Sequence, residues 1–293
     1  MNFEGIVDPL TRSALRLQWL EAALEPVSEY GRRCASAISP FQLGEEAQAQ
    51  AQAREIVRTA QLLDASCIDA IRDALRYAPD ATAAIARAGM GDVLSDANLL
   101  ELQRFLDVAA RIEALVDVEG LSLACNNTGS TYVARLLERG RAGKFGFYLA
   151  DAFDARLADV RARAAQAQAE FDAVRGRLAA RVAHALRRDE ISASEFIVMR
   201  DGLDGSLPPE VRVVREAPTY LLCELELDEP SLQALERRDE AADAVAQTEE
   251  AARMVLSQAV REHARDLETV AQRLGDIDVL ATRLRFAHNY DAV

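Results

Sequence analysis

Lys144 is the only lysine in a chain of 293 residues, and it stands in GRAGKFG, the nearest approach in the sequence to a phosphate-binding loop. A P-loop cradles phosphates with backbone amides. It needs a glycine five residues before its Gly-Lys pair and a Ser or Thr after the lysine to reach magnesium. Here Phe145 follows the lysine and the glycine spacing is wrong, so Lys144 reads as a loop lysine and no ATP site is expected. Cys34, Cys67, Cys125 and Cys223 match no zinc spacing and read as reduced cytoplasmic thiols, with no signal peptide before them. His184, His263 and His288 are equally scattered. GxSxG elbows, HExxH pairs and dinucleotide fingerprints do not occur. The sequence therefore predicts no catalytic residue, no cofactor-binding residue and no metal ligand, and not an enzyme by itself.

The chemistry that remains is phosphate contact by arginine. Arg187, Arg188, Arg200, Arg212 and Arg215 fall close together in sequence, and a guanidinium bonds a phosphate bidentately without reading bases. These five are the candidate DNA contacts. Glu195, Asp201, Glu210 and Glu216 are interspersed among them, so a solvated polar surface and a phosphate-contact face stand equally open. The formal net charge of -14 repels a polyanion at long range, so any contact with nucleic acid has to be local.

Long helices must position these residues. Aromatic residues are 5% of the chain and Gly and Pro are sparse, a composition that favours helix over sheet. From Asp154 to Arg188, apolar residues recur mainly at three- and four-residue steps: Leu157, Val160, Ala164, Phe171, Val174, Leu178, Val182 and Leu186. At 1.5 Å per residue this helix would be about 50 Å long. A second pattern begins near Ser231, and within it Leu256, Val260, His263, Leu267, Val270, Leu274, Ile277, Ala281 and Leu284 alternate steps of four and three, the spacing of a coiled-coil seam. His263 then occupies a packed, partnered position in that seam.

Between the two patterns the period changes to two. Phe196 to Met199 and Val211 to Val214 read as strands separated by DGLDGSLPP, and Tyr220 to Leu227 alternates sides as a third strand. The sequence up to about residue 150 reads as shorter helices, with one apolar face from Ile56, Ala60, Leu63, Ile68, Ile71 and Leu75 and another from Leu99, Leu102, Leu106, Ala109, Ile112 and Leu115, the latter introduced by Ser95 as N-cap. The expected fold is mainly α: a helical core body over 1–150 and an arm over 151–290. In the arm, helix 154–188 and return helix 231–288 form a long antiparallel coiled coil tipped by a small antiparallel β element at 195–227, and the return helix rejoins the core. No run approaches the length of a membrane span.

The order of these elements resembles the core, lever and clamp region of the MutS family. SAISPFQLGEEAQAQAQAREIVRTAQLL (Ser36 to Leu63) is similar to the family's core entry, and LLELQRFLDVAARIEAL (Leu99 to Leu115) to the core helix that follows. DARLADVRARAAQAQAEFDAVRGRL (Asp154 to Leu178) resembles the outgoing lever helix, and RLGDIDVLATRLRFAHNY (Arg273 to Tyr290) the helix that returns to the body. The resemblance implies nonspecific grip on duplex or branched DNA, a homodimer, and an ATPase domain in cis or trans that would continue from the unclosed helix near Val293. No mismatch-reading domain precedes the core, as in the paralogues outside mismatch recognition, and Glu195 to Leu227 is shorter than a typical clamp. The alternative is a helical protein-interaction or ribosome-associated scaffold without DNA binding.

Overall fold

The computed structural model describes residues 7–39, 41–117, 125–142, 146–191, 195–203 and 205–290; Lys144 and Phe145 lie outside them. The described residues form eleven α-helices and two small antiparallel sheets. Two compact units emerge, one made of Met1–Leu149 together with Arg253–Val293, the other of Ala150–Ala252. No described helix is long and apolar enough to cross a membrane.

The first unit contains α1 (Pro9–Ala14), α2 (Leu17–Ala23), α3 (Glu29–Ala37), α4 (Glu46–Leu62), α5 (Ala65–Arg76), α6 (Thr82–Met90), α7 (Asp96–Val116), α8 (Thr128–Glu138) and the two-residue strands β1 (Arg141–Ala142) and β2 (Gly146–Phe147). Local chemistry sets most of these boundaries. Ser95 accepts the amide of Asn98 and starts α7, as its residue type predicts. Asn127 and Ser130 form a reciprocal capping box on α8. Gly91, left-handed at φ 96°, closes α6. The face expected from Ile56 to Leu75 is divided between two helices, because Asp64 accepts the Cys67 amide at 2.7 Å and begins α5. Ile68, Ile71 and Leu75 are buried, whereas Ile56 and Ala60 on α4 are only half-buried.

The return helix expected at 231–288 is two helices, α10 (Glu229–Glu262) and α11 (Ala264–Tyr290), with His263 between them. His263 has partners: Nδ1 is 3.4 Å from an Asp266 carboxylate oxygen, and the ring lies 5.1 Å from that of Tyr132. The seam residues Leu267, Val270, Leu274, Ile277, Ala281 and Leu284 are all buried, in a helix that packs on α3, α5, α6 and α8. They are therefore core residues of the first unit. A helix buried on one side in a globular core shows the same three-and-four spacing as a coiled-coil seam.

Close approach of α3 and α11 rests on two glycines. A Cβ at Gly275 would stand 2.3 Å from the Cys34 sulfur and 2.8 Å from the Tyr30 carbonyl oxygen, and one at Gly31 would stand 2.3 Å from an Asp278 carboxylate oxygen. Tyr30 ties α3 to the α5–α6 connection. Its hydroxyl donates to the Pro79 carbonyl and accepts from the Ala81 amide, each at 2.8 Å, and burial pushes its pKa upward.

Candidate nucleic-acid interface

Within the second unit, α9 (Leu157–Ala185) and the first part of α10 run antiparallel. Arg161 reaches Glu249 at 2.9 Å, Arg238 stacks 4.9 Å above the Phe171 ring, and Arg181 reaches Asp228 at 2.8 Å. One number rises as the other falls by nearly the same step, which fixes direction and register. Asp228 caps α10 by accepting the Ser231 amide at 3.1 Å and its hydroxyl at 2.5 Å. The Ser231 hydroxyl, then the Arg181 guanidinium, hold the Asp228 carboxyl below its ordinary pKa.

A three-stranded antiparallel sheet, ordered β3-β5-β4, follows α9: β3 (Glu195–Met199), β4 (Val211–Glu216) and β5 (Tyr220–Leu225). Its alternating pattern sends Phe196, Val198, Val211, Leu221, Cys223 and Leu225 inward, where they share one apolar cluster with Leu178, Val182, Ala183 and Ile191. The other face points to solvent. Across it, Glu195 pairs with Glu224 and Glu224 with Arg212, while Ile197 pairs with Leu222 and Leu222 with Arg215. A bulge between Val213 and Arg215 leaves Val214 about half exposed.

The structure gathers the five candidate arginines around this sheet and the end of α9 but does not align them as a basic stripe. Arg212 is ion-paired with its cross-strand neighbour Glu224, and a second carboxylate, Glu226, lies 3.7 Å away. Arg200 donates to the Ala217 carbonyl at 2.9 Å and to Glu216 at 2.8 Å. Both charges are thus compensated locally, Arg212 by the glutamate that strand register places opposite it and Arg200, just past β3, by Glu216 at the end of β4. Arg215 is exposed on β4 with no carboxylate within 4 Å among the described residues.

Arg187 and Arg188 close α9. The Arg187 amide donates to the His184 carbonyl at 3.1 Å and the Arg188 amide to the Ala183 carbonyl at 2.9 Å, the paired bonds of a Schellman cap. Arg187 takes the left-handed position usual for glycine, at φ 51°. Sequence reasoning saw these residues only as charge; an arginine gives no sign of a left-handed cap.

The electrostatic setting is acidic. Residues 150–252 hold 22 Asp and Glu against 13 Arg, a formal charge of -9. At physiological salt, fields decay over about 8 Å, so local phosphate contacts at exposed arginines remain feasible while long-range attraction is absent. Among the described residues, no group of three or more His, Cys, Asp or Glu is placed to hold a metal ion. No protein-family model matches the chain, and no curated protein matches it in sequence.

Proposed function

We propose that the chain is the core-and-clamp part of a MutS-like protein that grips duplex or branched DNA without reading its sequence, in the cytoplasm, as a homodimer worked by an ATPase domain in cis or trans. The observation that carries this reading is the discontinuous first unit: its helices are completed by α11 only after residues 150–252 have formed an inserted helix–sheet–helix unit. That order matches the core, outgoing lever, clamp and returning helix of the resembled family. Arg187, Arg188 and Arg215, all exposed, are candidate phosphate contacts. Arg200 and Arg212 would join by exchanging a glutamate for a phosphate oxygen.

Polarisation of labelled duplex and four-way-junction DNA at low and moderate salt tests the reading. Wild-type chain should bind both with a dissociation constant no tighter than about 1 μM at physiological salt and lose affinity steeply as salt rises, as nonspecific phosphate binding does. A variant with Arg187→Glu, Arg188→Glu and Arg215→Glu should bind at least tenfold more weakly. Equal affinity of the two proteins at low salt, or no binding by either, overturns the clamp role.

The second reading, a protein-interaction scaffold, is favoured by the charge of -9 on residues 150–252 and by Ile197, Met199 and Val214, all about half exposed on or beside the solvent face of the sheet. It gains ground if the DNA experiment fails.

A further inference from the structure

Helix α4 leaves a cleft of about 790 Å³ between itself, α3 and α11, lined among others by Ile38, Ile56, Leu280, Cys34 and Arg283. Of the seventeen residues of α4 only Thr59 is buried, so the helix covers the neighbouring α3 and α11 incompletely. The volume is that of an ordinary small-molecule site, and the walls combine apolar side chains with several charged ones.

Arg283 sets the chemistry. It is half-buried, and it has no hydrogen bond or ion pair among the described residues. Other arginines of the cleft are committed: Arg33 bonds Asp80 at 2.8 Å, and Arg273 reaches the Asn126 carbonyl at 3.5 Å. Burial alone depresses the pKa of Arg283, with no opposing carboxylate to restore it. A guanidinium partly stripped of water and left without a counter-charge is costly, and an anion bonded to its fork removes that cost.

We propose that the cleft between α3, α4 and α11 binds a small amphipathic monocarboxylate, its carboxylate on the Arg283 guanidinium and its hydrocarbon on Ile38, Ile56 and Leu280. One planar fork matches one carboxylate bidentately. Glu55, Glu268 and Asp276 also line the cleft, and their charges disfavour a dianion such as a phosphate monoester. This site lies wholly in the first unit and stands or falls independently of DNA binding.

The test is calorimetric titration of octanoate into the full chain, with octanol and inorganic phosphate as separate probes. Octanoate should bind saturably, and both probes should bind at least tenfold more weakly. Arg283→Gln should weaken octanoate at least tenfold, while Arg285→Gln, on the exposed side of α11, should leave it unchanged. Alkylation of Cys34 gives a second readout: octanoate should slow it in the wild type and not in Arg283→Gln, with Cys67 as an internal reference. Equal binding of octanol and octanoate, equal binding by Arg283→Gln, phosphate binding with octanoate excluded, or no saturable binding at millimolar octanoate each overturns the proposal. Comparing octanol with octanoate requires no variant, so the conclusion survives a misfolded Arg283→Gln.

Discussion

Asp278 accepts two hydrogen bonds from Ser28, one from its amide at 2.7 Å and one from its hydroxyl at 2.6 Å, although the residues stand 250 positions apart. The same carboxylate accepts the Val27 amide at 3.2 Å and is fully buried. It therefore satisfies backbone donors at the N-terminus of α3 from the middle of α11, where the positive end of a helix also favours a negative charge. Asp278→Ala would strand these donors out of reach of water and should cost about 3 kcal/mol, against about 1 kcal/mol for Ser28→Ala. Urea denaturation of the two variants checks the order; equal small losses would show that the carboxylate is not a latch.

Helix contact at the glycines gives a paired prediction. Gly275→Ala would press a methyl group against the Tyr30 carbonyl, backbone that cannot swing aside, and should destabilise by roughly 1 to 3 kcal/mol. Gly176 is also helical, in α9, and a Cβ there meets nothing within 4 Å. Gly176→Ala should stabilise by about 0.5 to 1 kcal/mol. Thermal melts of the two variants should move in opposite directions.

Leu267 is fully buried in α11 and Val255 is 67% exposed on α10. Leu267→Ala should cost about 2 to 5 kcal/mol through lost burial and a residual cavity, while Val255→Ala should stay within about 0.5 kcal/mol. A loss at Leu267 below 1 kcal/mol in denaturant titration would remove it from the core.

Arg187 holds a left-handed conformation that costs a non-glycine residue about 1 to 2 kcal/mol. Arg187→Gly should therefore raise stability by up to about 1 kcal/mol while weakening DNA binding if the clamp reading is right. Stability and affinity moving in opposite directions, by melting and by polarisation, would mark strain retained for a contact. A destabilised glycine variant would mean that the arginine side chain is needed for the cap.

Asp228 ties its charge to the start of α10. Its carboxyl pKa is lowered below 3.8 in the folded chain, so its contribution is fully present above the unfolded value and is lost as pH falls through the lowered folded value. Asp228→Ala should cost about 1 kcal/mol at neutral pH, mostly as a lost N-cap. The gap between wild type and variant should narrow below about pH 4. A gap that stayed constant to pH 2 would assign the effect to packing alone.

Residue type and period made the helices, the β segment and the Ser95 cap legible, because each depends on neighbours within a few positions. Partners across the chain were not. The spacing from Leu267 to Leu284 reports a buried face but carries no information about what covers it. Asp278 interrupts that stripe as a residue normally exposed, and only its meeting with Ser28 explains its burial. Arg212 and Glu224 are 12 positions apart, and their pairing follows from the register of β4 on β5 across the short turn at 217–219, with its bulge between Val213 and Arg215, which the alternating pattern alone does not fix. At Leu63 and Asp64 the apolar pattern runs on while the backbone turns, and the cap-forming residue type at Asp64 was the one local signal available. Arg187 offered none, since its backbone conformation is imposed by the end of α9.

The division of the first unit across the sequence has a consequence for biosynthesis. On a ribosome adding about 5 to 20 residues per second, roughly 6 to 30 s separate the emergence of α8 from that of α11. During that interval α3 and α5 lack the helix that covers them, and the Ser28 amide lacks its acceptor. The inserted segment, complete at Ala252, is free to fold first. Nascent chains arrested before α11 should therefore expose apolar surface to holdase chaperones, and pairings between residues so distant in sequence should make closure of this unit the slow step of folding.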